Sequence, residues 1–354
     1  MPGYYFNLPP ITALTRAQQA ALNETGQIAL SGGPGTGKSV VSIWRHISNY
    51  RQGNCSLLLT YTTTLKRYLE ACCRGNNAAA AQFVGTSLRN RSITQNRKFF
   101  EVIIDEAQDL DSGYFAEICS PVSYGADDSQ ILYSGHSTTQ TQLAGIFPNN
   151  VPYVLDKNFR CTQEIMQFTK QAFPQAAISS NMINNIDRHG DMPSLLIGNW
   201  GLLDITPDME IFAILQIIQD LRNDTENIAI LLPWKSSVQK YVSALKNNNV
   251  DDFSYYYADS NDFPDGCPPL KNVHITTFKS AKGLEFDTVI IPDFNKMAAI
   301  VGNYNADWQD FYVGCTRARS NLFLLSNIIL PPLNGVVNIS FLPPLNTPIA
   351  DSSK

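Results

Sequence analysis

The nine residues SGGPGTGKS, Ser31 to Ser39, close the apolar run QIALS (27 to 31) and open the helix-like VVSIWRHI. From Gly32 to Ser39 they fit G-x-x-x-x-G-K-[ST], a loop whose glycines turn backbone N–H groups onto phosphates at a helix N-terminus. Gly32, Gly33, Pro34, Gly35, Thr36 and Gly37 would form the cradle, Lys38 would reach the β and γ phosphates, and Ser39 would ligate Mg²⁺. A strand that runs through such a loop into a helix belongs to a layered α/β fold.

The rest of the chain repeats that alternation. SLLLTY (56 to 61), FFEVIID (99 to 105) and QILYS (130 to 134) read as strands buried on both faces. A second series follows in YVL (153 to 155), SLLIG (194 to 198), IAILL (228 to 232), VHITTF (273 to 278), TVIIPDF (288 to 294) and NLFLLS (321 to 326). Between them lie helix-length segments such as MEIFAILQIIQDLRN (209 to 223) and SSVQKYVSALKN (236 to 247), the second expected to open on a serine cap. Two α/β lobes with parallel sheets are expected, residues 1–150 and 151–330, divided near the turn-rich FPNNVP (147 to 152) and followed by an irregular proline-rich tail over 331–354.

Composition narrows the class. The chain has 354 residues, 44% hydrophobic and 16% charged, which suits two globular domains rather than a disordered or membrane-spanning chain. MPGYYFNLPP lacks the basic start and apolar centre of a signal peptide, so a cytoplasmic location is expected, with the seven cysteines reduced. The net charge of -5 excludes a surface uniformly attractive to polyanions, yet residues 51–100 alone carry +7 while residues 101–130 hold eight carboxylates and no Lys or Arg. That segregation fits a polyanion site beside a metal site.

The carboxylates concentrate in VIIDEAQDLD (102 to 111). At the end of a buried strand, Asp105 would stand beside Mg²⁺ and Glu106 would polarise an attacking water, the division of labour that phosphoryl transfer needs. Asp109 and Asp111 read as helix-start or surface charges.

In order, LTRAQQAAL (14 to 22), the glycine-rich loop, LLLTYTTTLKRYL (57 to 69), DEAQD (105 to 109), ADDSQILY (126 to 133), LDKNFRCTQEI (155 to 165), TFKSAKGLEFDTVII (277 to 291) and FYVGCTRAR (311 to 319) resemble the motif set of the UvrD/Rep family of superfamily 1 helicases. The resemblance spans residues 14 to 326 and implies a P-loop NTPase of two RecA-like lobes with ATP and Mg²⁺ between them. It implies that Gln18 reads the adenine edge, Phe159 stacks on the base, Glu285 holds the ribose side and Gln130 senses the γ phosphate. Arg160 and Arg317 would come from the second lobe to neutralise transition-state charge. Thr60, Tyr61, Thr86, Tyr133, Thr277 and Lys279 would line a groove for single-stranded nucleic acid, DNA favoured over RNA.

The pattern also departs from the family. Only 18 residues separate Thr86 from Asp105 and 25 separate Asn247 from Val273, too few for the accessory domains that larger members insert there. SGHSTT (134 to 139) replaces an aromatic-Arg-Gly-Ala stretch, Val40 stands where an arginine often covers the adenine, and Lys279 stands where histidine is common. Two functions are consistent with this. One is an ATP-driven motor translocating 3′ to 5′ on single-stranded DNA. The alternative is an ATP-gated switch or adaptor controlling a protein partner, such as a nuclease in a bacterial defence or repair complex.

Overall fold

The computed structural model describes residues 4, 8–133, 135–198, 209–223, 225–263, 266–296, 308–327, 333 and 335–341. Six strands, β1 (Ile28–Ser31), β2 (Ser56–Thr60), β3 (Val84–Thr86), β4 (Glu101–Ile104), β5 (Val122–Gly125) and β6 (Val151–Val154), form a first sheet in the order β3-β2-β4-β5-β1-β6. Seven more, β7 (Ser194–Ile197), β8 (Ile228–Leu232), β9 (Ser254–Tyr256), β10 (Val273–Thr277), β11 (Phe286–Ile291), β12 (Ala318–Ser326) and β13 (Asn338–Phe341), form a second in the order β13-β7-β12-β11-β8-β10-β9. Among the described residues every strand pairing is parallel, from Leu58 opposite Ile103 to Ile230 opposite Ile275. The expected α/β class with two parallel sheets holds. No helix among the described residues is long and apolar enough to cross a membrane.

Burial explains the strands. Ser-Leu-Leu-Leu-Thr of β2 and Ile-Ala-Ile-Leu-Leu of β8 are buried at every position, as a parallel strand covered by helices on both faces must be. The helices start where polar side chains satisfy their first N–H groups. In α1 (Arg16–Asn23), Thr15 and Gln18 form a reciprocal capping box, and Thr62 caps α3 (Thr63–Arg74). A buried ion pair joins α2 (Lys38–Arg51) to the sheet: Arg45 Nε donates to Glu101 at 2.8 Å, and Asn49 and Ser123 donate to the same carboxylate. Glu101→Ala strands the Arg45 guanidinium and should cost about 3–5 kcal/mol in urea denaturation, whereas Glu101→Leu with Arg45→Met should recover most of that loss.

Several sequence expectations need correction. YVL (153 to 155) reads as part of the second series, but Val151–Val154 pairs with β1 from Ile28 to Ser31, so the first sheet extends past residue 150. Pro152, which has no N–H to donate, is compatible with this edge position. Of QILYS, residues 130–133 do not form a strand, and Ser134 lies outside the described residues. Asp128–Gln130 forms a 3₁₀ turn capped by Asp127, and the expected strand position is taken by Val122–Gly125, where Gly125 lies beside Lys38 and Asp105. The helix Lys235–Asn247 begins after Trp234 without a side-chain cap, so the serine cap is absent. Part of the proline-rich tail is regular, because β13 adds to β7 at the sheet edge. The two gaps flagged in the sequence hold the short helix Arg91–Asn96 and the strand β9.

Candidate functional site

The C-terminal ends of β1, β4 and β5 meet where the first sheet's strand order reverses, the place where parallel α/β sheets bind ligands. β1 runs into Gly32 at φ 140°, and the Leu155 carbonyl oxygen lies 2.1 Å from where a Cβ would stand, so no other residue fits there. Gly37, at φ 90°, begins α2, and a Cβ on it would meet Gln18 Nε2 at 2.4 Å. The Gln18 amide is committed at both ends, accepting from Thr15 N at 2.9 Å and donating to the Thr36 carbonyl at 3.0 Å. Gln18 therefore holds the loop, and with Leu14, Val40, Tyr68 and the half-exposed ring of Phe159 it also lines the adjacent cavity of about 270 Å³.

Lys38 is buried and folded inward, its Nζ donating to the Gly32 and Gly33 carbonyls at 2.6 and 3.0 Å and lying 3.7 Å from Asp127. Ser39 Oγ donates to Asp105 Oδ2 at 2.6 Å. A hydroxyl and a carboxylate side by side at the start of a helix are oxygen ligands of the kind Mg²⁺ takes together with phosphates, so the residues present fit that ion. Glu106 follows at φ 61°, a left-handed conformation that a non-glycine residue holds only under strong surrounding constraint. Gln108 supplies part of it, donating to Glu106 Oε2 at 2.5 Å while accepting from Asp127 N at 3.2 Å. The two neighbouring carboxyls are driven apart electrostatically. Burial and the Glu106 charge push Asp105 upward, whereas at Glu106 the ammonium groups of Lys282 and Lys38 outweigh burial and hold it down.

The facing wall comes from the second layer. Arg160 Nε bonds Glu285 at 3.1 Å. Arg317 is fully buried, its Nε on the Val313 carbonyl at 3.0 Å and its Nη2 reaching across to Gln130 Oε1 at 2.7 Å. Burial and the nearby Arg160 lower its pKa to about 9, still protonated at neutral pH. Gln130 Nε2 in turn donates to Asp127 Oδ2 at 2.5 Å. Loop, carboxylates, Gln130 and both arginines thus converge on one cleft.

Residues not singled out in the sequence complete it. Asn158 Nδ2 donates to the Pro34 carbonyl at 2.7 Å, and its Oδ1 accepts from the N–H groups of Arg160 and Cys161, fastening the crossing segment to the glycine loop. Its place just before Phe159 and Arg160 was the available signal. Gln108, two residues after Glu106, could have been suspected on the same ground. Asp109 requires the largest correction. It is buried rather than a helix-start or surface charge, and both its oxygens accept from Lys282 Nζ at 2.7 Å. Asp111 does cap a helix, accepting from Gly113 and Tyr114 N–H groups.

Of the expected groove residues the structure brings three together. The rings of Tyr61 and Tyr133 lie 4.6 Å apart, and Lys279 Nζ lies 5.6 Å from the Tyr133 centroid. Thr60, Thr86 and Thr277 are buried instead: Thr277 caps the turn Phe278–Ala281, and Thr60 Oγ1 has no hydrogen-bond partner among the described residues.

Fold and site define a two-layered α/β chain with a glycine-rich loop and paired carboxylates at the cleft between its sheets. Within it, residues 259–327 match the sequence model of the UvrD-like helicase C-terminal domain. The chain is 27% identical over 259 residues, 67% of its length, to a protein of Acanthamoeba polyphaga mimivirus provisionally named an ATP-dependent DNA helicase, and it spans 36% of that relative's length. Among solved structures, the C-terminal domain of a possible DNA helicase from Lactobacillus plantarum overlaps 51% of this chain and 98% of its own at 20% identity and a TM-score of 0.37. The arterivirus nonstructural protein 10 helicase overlaps 91% of this chain and 63% of its own at 11% identity and a TM-score of 0.43. Overlaps at these scores add nothing to the reading of the site.

Proposed function

We propose that the chain hydrolyses ATP in the cleft between its two lobes and uses that cycle to move along single-stranded DNA, 3′ to 5′. The observation that carries the reading is the convergence of Lys38, Ser39 and Glu106 from the first layer, with Asp105 behind Ser39, and of Arg160 and Arg317 from the second around one cavity. The triphosphate lies on the glycine loop and the start of α2, and Lys38 exchanges the Gly32 and Gly33 carbonyls for phosphate oxygens. Mg²⁺, held by Ser39, Asp105 and the phosphates, supplies charge neutralisation when bound. Glu106, oriented by Gln108, takes the proton of the water that attacks the γ phosphorus as the bond to the β-phosphate oxygen breaks, giving ADP and inorganic phosphate. Arg160 and Arg317 neutralise charge on the transferring group, and Gln130, bonded to Arg317, reports its presence across the cleft. Phe159 and Tyr68 flank the base, with Glu285 on the ribose side.

Tyr61, Tyr133 and Lys279 form a stacking and phosphate-contact surface across both layers, suited to strand binding without sequence preference. The test is ATP turnover by the purified chain at low salt, with and without single-stranded DNA or RNA. Stimulation by DNA supports the motor. Turnover indifferent to both polymers rejects it in favour of a switch awaiting a protein partner, such as a nuclease.

A further inference from the structure

Lys282 is fully buried, yet its ammonium belongs to the second layer while its partners among the described residues belong to the first. It donates to both Asp109 oxygens at 2.7 Å and to the Gln130 carbonyl at 2.5 Å, and it stands 3.4 Å from Glu106 Oε2. An ammonium has three protons, and Asp109 with the Gln130 carbonyl account for them, so Glu106 is held by charge at longer range. Three residues earlier on the same turn, Lys279 lies over the Tyr133 ring, and Tyr133 is itself three residues beyond Gln130. Two short segments, Gln130 to Tyr133 and Lys279 to Lys282, therefore touch at both ends. One end is at the paired tyrosines and the other at the Glu106 carboxylate. Thr64 Oγ1 donates to the Ser280 carbonyl and fastens the middle of that turn to α3.

We propose that Lys282 is a positioning residue that transmits the state of the Tyr61–Tyr133–Lys279 surface to Glu106, with Asp109 as the counter-ion that sets where its ammonium stands. Resting on the function proposed above, it identifies the contact through which a polymer on the tyrosines alters hydrolysis. A strand on that surface moves the turn Phe278–Ala281, and the turn carries Lys282 with it. Because Lys282 is shared between Asp109 and Glu106, a small displacement redistributes its charge between the two carboxylates. A fastening that merely holds the lobes together needs no such sharing.

The test compares Lys282→Met, Asp109→Asn and the double variant Lys282→Met with Asp109→Leu against the wild-type full chain. Thermal midpoint, nucleotide KM, and kcat with and without single-stranded DNA are measured for each. Lys282→Met leaves Asp109 buried and unpaired, so a loss of stability is expected, and the double variant should restore the midpoint by replacing the pair with apolar groups of similar size. The expected result is that the restored double variant, and the near-isosteric Asp109→Asn, keep nucleotide KM within about threefold while polymer stimulation of kcat falls at least about tenfold. A double variant that regains both stability and full stimulation makes the pair a fastener and overturns the proposal. A wild-type chain that does not respond to polymer removes the underlying function instead, and that failure is visible before any variant is measured.

Discussion

Glu106→Gln is expected to bind ATP with wild-type strength and to lose turnover by about 10²–10⁴-fold, the range supplied by a positioned general base. The amide matches the carboxylate in size and keeps an oxygen that can accept from Gln108, so the left-handed backbone at φ 61° and the packing around it need not change. What disappears is the proton acceptor, together with a negative charge that Lys282 and Lys38 help to hold in place. Binding of a fluorescent ATP analogue measured beside phosphate release separates the two effects. A variant that binds and still hydrolyses at the wild-type rate would show that another group takes the proton.

Removing Arg317 should produce the second large loss. Arg317→Ala should lower kcat by about 10³-fold or more if the guanidinium meets transition-state charge, with nucleotide KM changed far less. Its Nε is fixed by the Val313 carbonyl and its Nη1 by the Leu284 carbonyl at 3.4 Å, so the fork is held by its own backbone before any nucleotide arrives. Truncation also removes the guanidinium bonds to those carbonyls, although Val313 keeps the Thr316 hydroxyl at 3.1 Å, and Arg317→Lys serves as the control because it keeps the charge and loses the planar fork. An intermediate kcat for lysine and a very low one for alanine are expected. A change confined to KM in both variants would make Arg317 a nucleotide-binding residue.

How much of this was legible varied with the range of the interaction that decides each feature. The glycine loop is local: a strand, a left-handed turn and a helix start are encoded within a dozen residues, and Gly32 and Gly37 adopt the backbone that the spacing required. The position of Asp105 and Glu106 is equally local, because adjacent carboxylates at the end of a buried apolar strand stand out in the sequence. Val151–Val154 was misassigned because one short apolar run looks the same whichever sheet it joins, and only pairing with β1 decides. The Ile131–Tyr133 run failed in the same way, since three apolar residues fill an irregular segment as readily as a strand. Lys282 and Asp109 are 173 residues apart, and neither has a neighbour in sequence that reveals the other.

By itself, then, the amino-acid order determined the α/β class, the glycine-rich loop with its carboxylates and the resemblance that links the motifs, since each depends on residues within one strand, turn or helix start. Only the tertiary structure decided that Gln18 and Asn158 hold the loop, that Thr60 and Thr277 face inward and that a buried ammonium from one layer stands between two carboxylates of the other. Those outcomes depend on which surfaces are brought together and shielded from water, and burial sets the strength of a charge or the need for a hydrogen bond through partners that lie far away along the chain.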